Sequence, residues 1–274
     1  MQENDLIQSL EAINDKTIAY LTQLSKSQES KAVDILIDRF NLFELSKEGT
    51  IVTNAKNISH IQTLIEDYRN YIFTNEFTKK IQKQLYKHYA DVSKITNKYY
   101  NLSEQEFGNK ALLKELQANA IISTINDLQT AGIDATRLNK AFQAIVTDNL
   151  TLKQASDVFR KSVPKQLDRY TNEIVTDNLY QYERNVTKIL TNDLQLKHYF
   201  YSGTLRETSR PFCKNRAGRV FTEAEVRSWG NMGEWEGKIP GTNSKTIFTY
   251  LGGYNCRHRL IPITQERFDK LNKK

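Results

Sequence analysis

The sequence is poor in cysteine, proline and tryptophan, and it has no long apolar run. Of its 274 residues, two are Cys, four are Pro and two are Trp. Two cysteines exclude a disulfide framework, and the lack of about 20 consecutive apolar residues excludes a membrane span. Residues 1–5 lack the basic start and apolar stretch of a signal peptide. We therefore expect a soluble protein with no membrane partner that is made and used inside the cell, or is carried out by another system.

The scarce residue types are concentrated at one end of the chain. Residues 200–274 contain eight of the eleven Gly, three of the four Pro, both Cys and both Trp. The formal net charge of +7 also lies there, because this segment has 14 Lys and Arg against 7 Asp and Glu. With 39% hydrophobic residues the chain is too apolar to be disordered. These shifts predict a helical region over 1–149 suited to docking on a partner, long helices over 150–194, and a basic module over 195–274.

Helical patterns fill the part of the chain before residue 195. No proline and only three glycines occur before residue 164, and apolar residues recur at helical spacing. They predict a first helix over 6–24, a second over 33–45 ended by Gly49, and either a helical pair or one long rod over 58–99. Further boundaries are predicted at the capping boxes Ser103–Glu106 and Thr151–Gln154, at the caps Asp134 and Gly132, and at Pro164 in the first turn of a long helix.

After residue 195 the pattern changes to that of a small α+β module. Leu196–Gly203 alternates with a period of two and predicts a strand. Val220 and Phe221 predict a short strand that leads into the capping box Thr222–Glu225 and a helix ending near Gly230. Two more strands are predicted at Thr246–Tyr250 and Arg259–Ile263. The predicted fold class is mainly α with a small C-terminal α+β module and an elongated helical N-terminal region.

Two segments of the module hold most of its unusual residues. They are TLRETSRPFCKNRAGRVF at 204–221 and LGGYNCRHRLIPI at 251–263. The pair resembles the C-terminal signature of phage Mu F-like head morphogenesis proteins, in which an Arg-Pro-x-Cys-like stretch precedes a Gly-Gly-x-Asn-Cys-Arg-His or similar segment and a final strand with proline. The resemblance covers about 150–265, is strongest over 199–263, and leaves 1–149 uncovered. Many members have Cys-Arg-Cys where this sequence has Cys256-Arg257-His258.

The resemblance implies a structural role in the virion of a tailed phage. Such a minor capsid protein is assembled in the host cytoplasm, acts in head morphogenesis and is no enzyme. It associates, in several copies, with the portal vertex or the inner capsid surface, so portal and major capsid proteins are the expected partners, and packaged duplex DNA is a further one.

Cys213, Cys256 and His258 are candidate metal ligands. Thiolates and imidazole suit tetrahedral zinc, and His198 or Glu207 would have to supply the fourth ligand. The alternative is two small buried thiols with His258 hydrogen-bonded nearby. We prefer this alternative because structural zinc sites usually show four clear ligands.

A nuclease is the alternative in the enzyme class. The nuclease would use His258 as general base beside a metal ion. A second alternative is a protein unrelated to virions whose module binds nucleic acid. The module contains only seven Asp and Glu, and an acidic ligand pair is missing from the two motif segments. We therefore prefer the structural role.

Clustered cations give the module a second candidate site. Those expected to be exposed and to contact nucleic acid or a partner are Arg206, Lys214, Arg216, Arg219 and Arg259. Arg210 and Arg257 are instead expected to brace loops by bonding carbonyl groups.

Trp229 and Trp235 are candidate anchors for a partner, since tryptophan is enriched at interface hot spots. The alternative is that they fill a small core. The lysines at 79, 80, 83 and 87 follow helical spacing and are interpreted as a solvated face.

Overall fold

Helices dominate the computed structural model, which describes residues 3–100, 110–131, 133–163 and 166–273. The long helices are α1 (Glu3–Asp38), α2 (Ala55–Ile72), α3 (Asn75–Tyr100), α4 (Lys110–Ala131), α5 (Ala135–Thr147), α6 (Leu152–Ser162) and α7 (Leu167–Asp193), with a 3-10 turn at Arg39–Leu42. After α7 come β1 (His198–Ser202), α8 (Pro211–Lys214), β2 (Val220–Thr222), α9 (Glu223–Trp229), α10 (Ile247–Tyr250), β3 (Arg259–Ile263) and α11 (Gln265–Asn272). The predicted fold class, mainly α with a small C-terminal α+β module, is confirmed.

The first helix corrects one prediction. Residues 3–38 form one continuous helix instead of two. The polar stretch between the two apolar patterns stays helical because its inward-facing side chains are buried. Ser25 and Glu29 on this stretch are buried. Ser25 accepts a hydrogen bond from Thr171 at 2.8 Å, and Glu29 accepts one from Tyr68 at 3.2 Å. Because these buried polar side chains have hydrogen-bond partners, they can occupy the buried face of the helix as apolar side chains do.

Several predicted boundaries are confirmed by their caps. The segment 58–99 is a helical pair, α2 and α3, because the chain breaks at Phe73 and Thr74. Asp134 caps α5, and both hydrogen bonds of the Thr151 capping box are present at the start of α6. The predicted box at Ser103–Glu106, the cap at Gly132 and the role of Pro164 lie outside the described residues.

The C-terminal module is built on a three-stranded antiparallel sheet in the order β2-β1-β3. The strands predicted around 199, 220 and 261 are confirmed, as is the capping box that starts α9 at Thr222. The strand predicted at Thr246–Tyr250 is wrong, since residues 247–250 form helix α10. The Asn243 side chain accepts from the backbone N–H groups of Lys245 and Thr246 and starts this turn, which buries Ile247.

The chain divides into two compact units. Unit 1 comprises residues 1–17, 85–123 and 175–274, and unit 2 comprises 18–84 and 124–174. Edge-on aromatic contacts of Phe40 with Phe159 and Phe142 form the centre of unit 2. The division into 1–149, 150–194 and 195–274 stays a prediction. Among the described helices, none is both long and apolar enough to cross a membrane.

The core of the module, within unit 1, includes most of its aromatic residues and both cysteines. Its buried members are Tyr199, Tyr201, Phe212, Cys213, Phe221, Val226, Trp229, Ile247, Phe248, Leu251, Cys256 and Leu260. The two segments singled out in the sequence therefore contribute to one hydrophobic core, and the candidate site lies inside it.

Candidate functional site

The structure brings Cys213, Cys256 and His258 together. The two Sγ atoms are 3.9 Å apart, and Cys256 Sγ lies 3.9 Å from His258 Nδ1. One ligand atom from each of the three residues lies within 4.8 Å of the others. The three side chains are buried, with exposed fractions of 3% and 3% for the cysteines and 4% for the histidine. This cluster could hold a metal ion, or it could serve as a small sulfur-containing core.

Local sequence explains how Cys213 reaches the cluster. Pro211 occupies the first turn of α8, where its fixed φ and missing N–H group favour a helix start. The preceding residue, Arg210, is extended, as is usual before proline. Cys213 then lies in a single short turn of helix and points into the core beneath β1.

Gly252 and Gly253 explain how the second segment approaches so closely. A Cβ atom on Gly252 would lie 2.5 Å from Cys213 Sγ and 2.9 Å from Cys256 Sγ. Gly253 has φ +96°, and a Cβ there would lie 1.9 Å from the carbonyl oxygen of Gly237. The glycine pair is therefore required by close contact and by backbone conformation at this site.

Tyr201 covers the cluster from the central strand. Its hydroxyl donates to Cys213 Sγ at 3.3 Å, and its ring centroid lies 5.4 Å from that of His258. The tyrosine is fully buried, and burial holds its pKa well above the ordinary value. Its hydroxyl therefore stays protonated and acts as a hydrogen-bond donor to sulfur.

Arg184 on α7 is a functional residue that the sequence analysis missed. Its buried guanidinium donates to the carbonyl oxygens of His258 at 3.0 Å and Thr249 at 2.9 Å, and to that of Cys256. One side chain thus fixes the backbone of the segment that carries two members of the cluster. Its sequence neighbours, Glu183 and Asn185, are polar, so no local signal marked this arginine as buried.

The two thiols differ in their electrostatic environment. Their shared hydrogen bond, together with burial, raises the pKa of Cys213 above the ordinary thiol value. The same hydrogen bond lowers the pKa of Cys256, and the Arg184 guanidinium adds to that effect against the opposing effect of burial. Cys256 is therefore the thiol that ionises first.

Neither proposed fourth ligand belongs to the cluster. His198 lies on β1, where its ring packs against Phe268 at 4.3 Å between centroids. Glu207 is exposed in the loop after β1. Within the described ranges, no Asp, Glu, His or Cys side chain joins the three residues. In this structure neither His198 nor Glu207 supplies the fourth ligand that the zinc alternative needs.

Arg210 links the two motif segments directly. Its guanidinium donates to the carbonyl oxygens of Tyr254 at 2.8 Å and Gly252 at 3.4 Å. Arg257 instead forms an ion pair with Asp15 of α1 at 3.2 Å. The hydrogen bonds of Arg210 to carbonyl groups are those expected of a bracing residue. Arg257 instead connects the segment before β3 to a carboxylate on α1.

The cations expected to be exposed fall into two groups. Arg206, Lys214 and Arg219 are exposed on the module surface. Arg216 is half-buried, and its guanidinium lies 3.9 Å from the ring centroid of Phe212 and donates to that residue's carbonyl oxygen. Arg216 therefore has a packing role that leaves only part of its side chain available to a partner.

Arg259 requires a correction. The sequence analysis expected it to be exposed, but its exposed fraction is 4%. Its Nε donates to Glu183 at 2.7 Å, and Glu11 lies 3.7 Å from its Nη1. Burial alone would lower the pKa of Arg259, but the Glu183 carboxylate outweighs that effect and holds the pKa above its usual value. The arginine is thus an internal ion-pair partner and cannot contact DNA.

The structure separates the two tryptophans, for which an anchor role and a core role were both open. Trp229 is 6% exposed and makes edge-on contacts with Phe212 and Phe221, so its role as an anchor is wrong and it fills the core. Trp235 is half-buried, stacks on Phe212 at 4.7 Å, and donates to Gly252 O at 3.4 Å. Only Trp235 keeps a surface that a partner could contact.

Compared with protein-family models, curated proteins and solved structures, the chain has no match.

Proposed function

We propose that this chain is a minor head protein of a tailed phage that acts in head morphogenesis, at the portal vertex or the inner capsid surface. The observation that carries the proposal is the contact between the two segments that resemble the Mu F-like signature. Arg210 of the first segment donates to carbonyls of the second, and Cys213 packs against Cys256. The two segments are distant in sequence but in contact in the structure. Such contact is expected if the two parts of the signature belong to one folded module.

Burial of the cluster supports a structural role over an enzymatic one. A catalytic metal site needs an open position and access for the substrate. Here Cys213, Cys256 and His258 are each at most 4% exposed, inside an aromatic core. A phosphodiester cannot approach His258 closely enough for proton transfer to an attacking water. The nuclease alternative therefore receives no support from this geometry, and a DNA-nicking test with added metal would detect it.

Arg206, Lys214 and Arg219 form the exposed cationic group of the first motif segment. Lys214 is held over the loop after β1 by a hydrogen bond to Glu207 O at 3.2 Å, and Arg219 donates to Asn215 O at 3.2 Å. Such cations on a folded surface can neutralise phosphates or acidic side chains. We assign packaged duplex DNA as their partner in the particle.

The composition of head particles tests the proposed function. Procapsids and filled heads are purified from the phage that encodes this sequence, and the chain is quantified by mass spectrometry against the portal protein. We expect several copies per particle, retained after repeated sedimentation, while an abundant host protein used as a contamination control is lost. A chain found only in the unassembled fraction contradicts the proposal.

The cationic group predicts salt-dependent DNA binding by the full-length protein. We expect log K to fall linearly with log salt, and the triple variant Arg206→Gln, Lys214→Gln, Arg219→Gln to reduce that slope by about 2 to 3, at about 0.9 per phosphate contact. The matched control is Lys79→Gln, Lys83→Gln, Lys87→Gln, which removes the same charge from the exposed side of α3.

Fluorescence anisotropy with a labelled duplex measures both slopes. We expect the control variant to keep most of the slope of the unaltered protein. Equal losses in the two variants would show that net charge alone governs binding. Binding that does not change with salt would contradict an electrostatic contact.

A further inference from the structure

We propose that Cys213, Cys256 and His258 bind one Zn²⁺ ion that fastens the two motif segments together. The proposal does not depend on the function proposed above, because it concerns only the interior of the module. It reverses the preference for two simple buried thiols, and the geometry of the three side chains is the reason.

Two of the three separations between ligand atoms are close to those of tetrahedral zinc. Zn–S bonds of about 2.3 Å and Zn–N bonds of about 2.0 Å place two sulfurs about 3.8 Å apart and a sulfur and a nitrogen about 3.5 Å apart. The observed separations are 3.9 Å for the two Sγ atoms and 3.9 Å from Cys256 Sγ to His258 Nδ1. A disulfide would need the sulfurs at about 2.05 Å, far closer than they are.

His258 is poorly satisfied by the protein alone. Its Nε2 atom is buried without a hydrogen-bond partner among the described residues, and Nδ1 has only a sulfur at 3.9 Å. A buried polar ring without hydrogen bonds destabilises a fold by about 1–3 kcal/mol. Coordination of a metal ion through Nδ1 would replace the weak sulfur contact of that nitrogen with a strong bond and would leave the surroundings of Nε2 unchanged.

Charge balance also favours a divalent cation in this core. Two thiolates and one Zn²⁺ sum to zero, and a neutral imidazole adds no charge, so the occupied site can remain in an apolar environment. The Arg184 guanidinium donates to Cys256 O and His258 O and adds positive charge beside the sulfurs.

Tyr201 lies against two members of the cluster. Its hydroxyl is 3.3 Å from Cys213 Sγ and its ring lies against that of His258. In the zinc-bound protein this hydroxyl is a positioning group, which donates to the Cys213 thiolate, and a water molecule completes the tetrahedral coordination. Because partners that bond to ligands tune metal affinity, Tyr201→Phe should weaken zinc binding by about 10- to 100-fold without changing the stoichiometry.

Metal analysis of the full-length protein tests the proposal. Protein purified with reductant from zinc-supplemented cells should contain one zinc ion per chain. After removal of zinc, Co²⁺ should bind at the same ratio with the thiolate charge-transfer and tetrahedral d–d absorption of a cysteine-ligated ion. Cys213→Ser, Cys256→Ser and His258→Gln should each lose this binding, while the matched control His198→Gln, on β1 of the same module but outside the cluster, should keep it.

A readout on the unaltered protein covers the case in which these variants fail to fold. Titration of the two cysteines with a thiol reagent should release one zinc ion for every two thiols modified, detected with a chromogenic chelator, and chelation of zinc should speed the modification. A folded, reduced protein that holds no zinc and gives no Co²⁺–thiolate absorption overturns the proposal. So does a native mass 2 Da lower than the reduced chain, which would show a disulfide.

Discussion

Gly253→Ala is expected to lower the free energy of unfolding of the module by on the order of 3–5 kcal/mol, since strain at positive φ and overpacking each cost about 1–3 kcal/mol. Gly253 has φ +96°, and an added Cβ would lie 1.9 Å from Gly237 O. That carbonyl cannot simply move aside, because it accepts the backbone N–H of Tyr254 at 2.8 Å. The substitution therefore strains the turn that precedes Cys256.

Gly233→Ala is the matched control for this substitution. Gly233 lies in the loop between α9 and α10, no heavy atom lies within 4 Å of an added Cβ, and its φ is not positive. We expect a change within about 0.5 kcal/mol. Urea unfolding followed by tryptophan fluorescence reports on this region, because Trp229 and Trp235 are the only tryptophans of the chain. Equal stability of the two variants would show that the turn relaxes without cost.

Local signals predicted much of the module. The strand around Tyr199, the capping box at Thr222 and the helix that it starts each depend on residues close in sequence, so pattern and propensity located them. The segment 246–250 has β-branched and aromatic residues but forms a helix, because the Asn243 turn and burial of Ile247 and Phe248 override propensity. The single helix α1 was misread for a related reason, since its polar residues at 25 and 29 are buried with distant partners.

The candidate site was predictable in its members but not in its surroundings. Cys213, Cys256 and His258 stood out as residue types, and they are in contact. Their supporting residues come from elsewhere in the chain. Arg184 is 72 residues from Cys256, and the Glu183 partner of Arg259 is 76 residues away. No local pattern in the sequence reveals that such an arginine is buried rather than exposed, so the roles of Arg184 and Arg259 emerged only from the fold.

The buried ion pair of Arg259 and Glu183 predicts the second large effect. The two side chains are 4% and 2% exposed, and Arg259 Nε donates to Glu183 Oε2 at 2.7 Å. An arginine remains charged in proteins, so Glu183→Gln leaves a buried cation whose remaining carboxylate partner among the described residues is Glu11, at 3.7 Å. Removing one partner of a buried pair costs about 3–5 kcal/mol, and we expect a loss of that size in the free energy of unfolding. Glutamine has nearly the same volume, so the loss reports on charge and not on a cavity.

Glu223→Gln provides the comparison within the same module. Glu223 pairs with Arg227 at 2.8 Å, but these side chains are 34% and 43% exposed, and such helical pairs contribute about 0.3–0.5 kcal/mol. In urea unfolding monitored by tryptophan fluorescence, the loss in free energy of unfolding should therefore be several-fold larger for Glu183→Gln than for Glu223→Gln. The double variant Glu183→Leu, Arg259→Met should be more stable than Glu183→Gln, because it leaves no unpaired charge in the core. Similar losses for Glu183→Gln and Glu223→Gln would mean that water or Glu11 compensates the buried guanidinium.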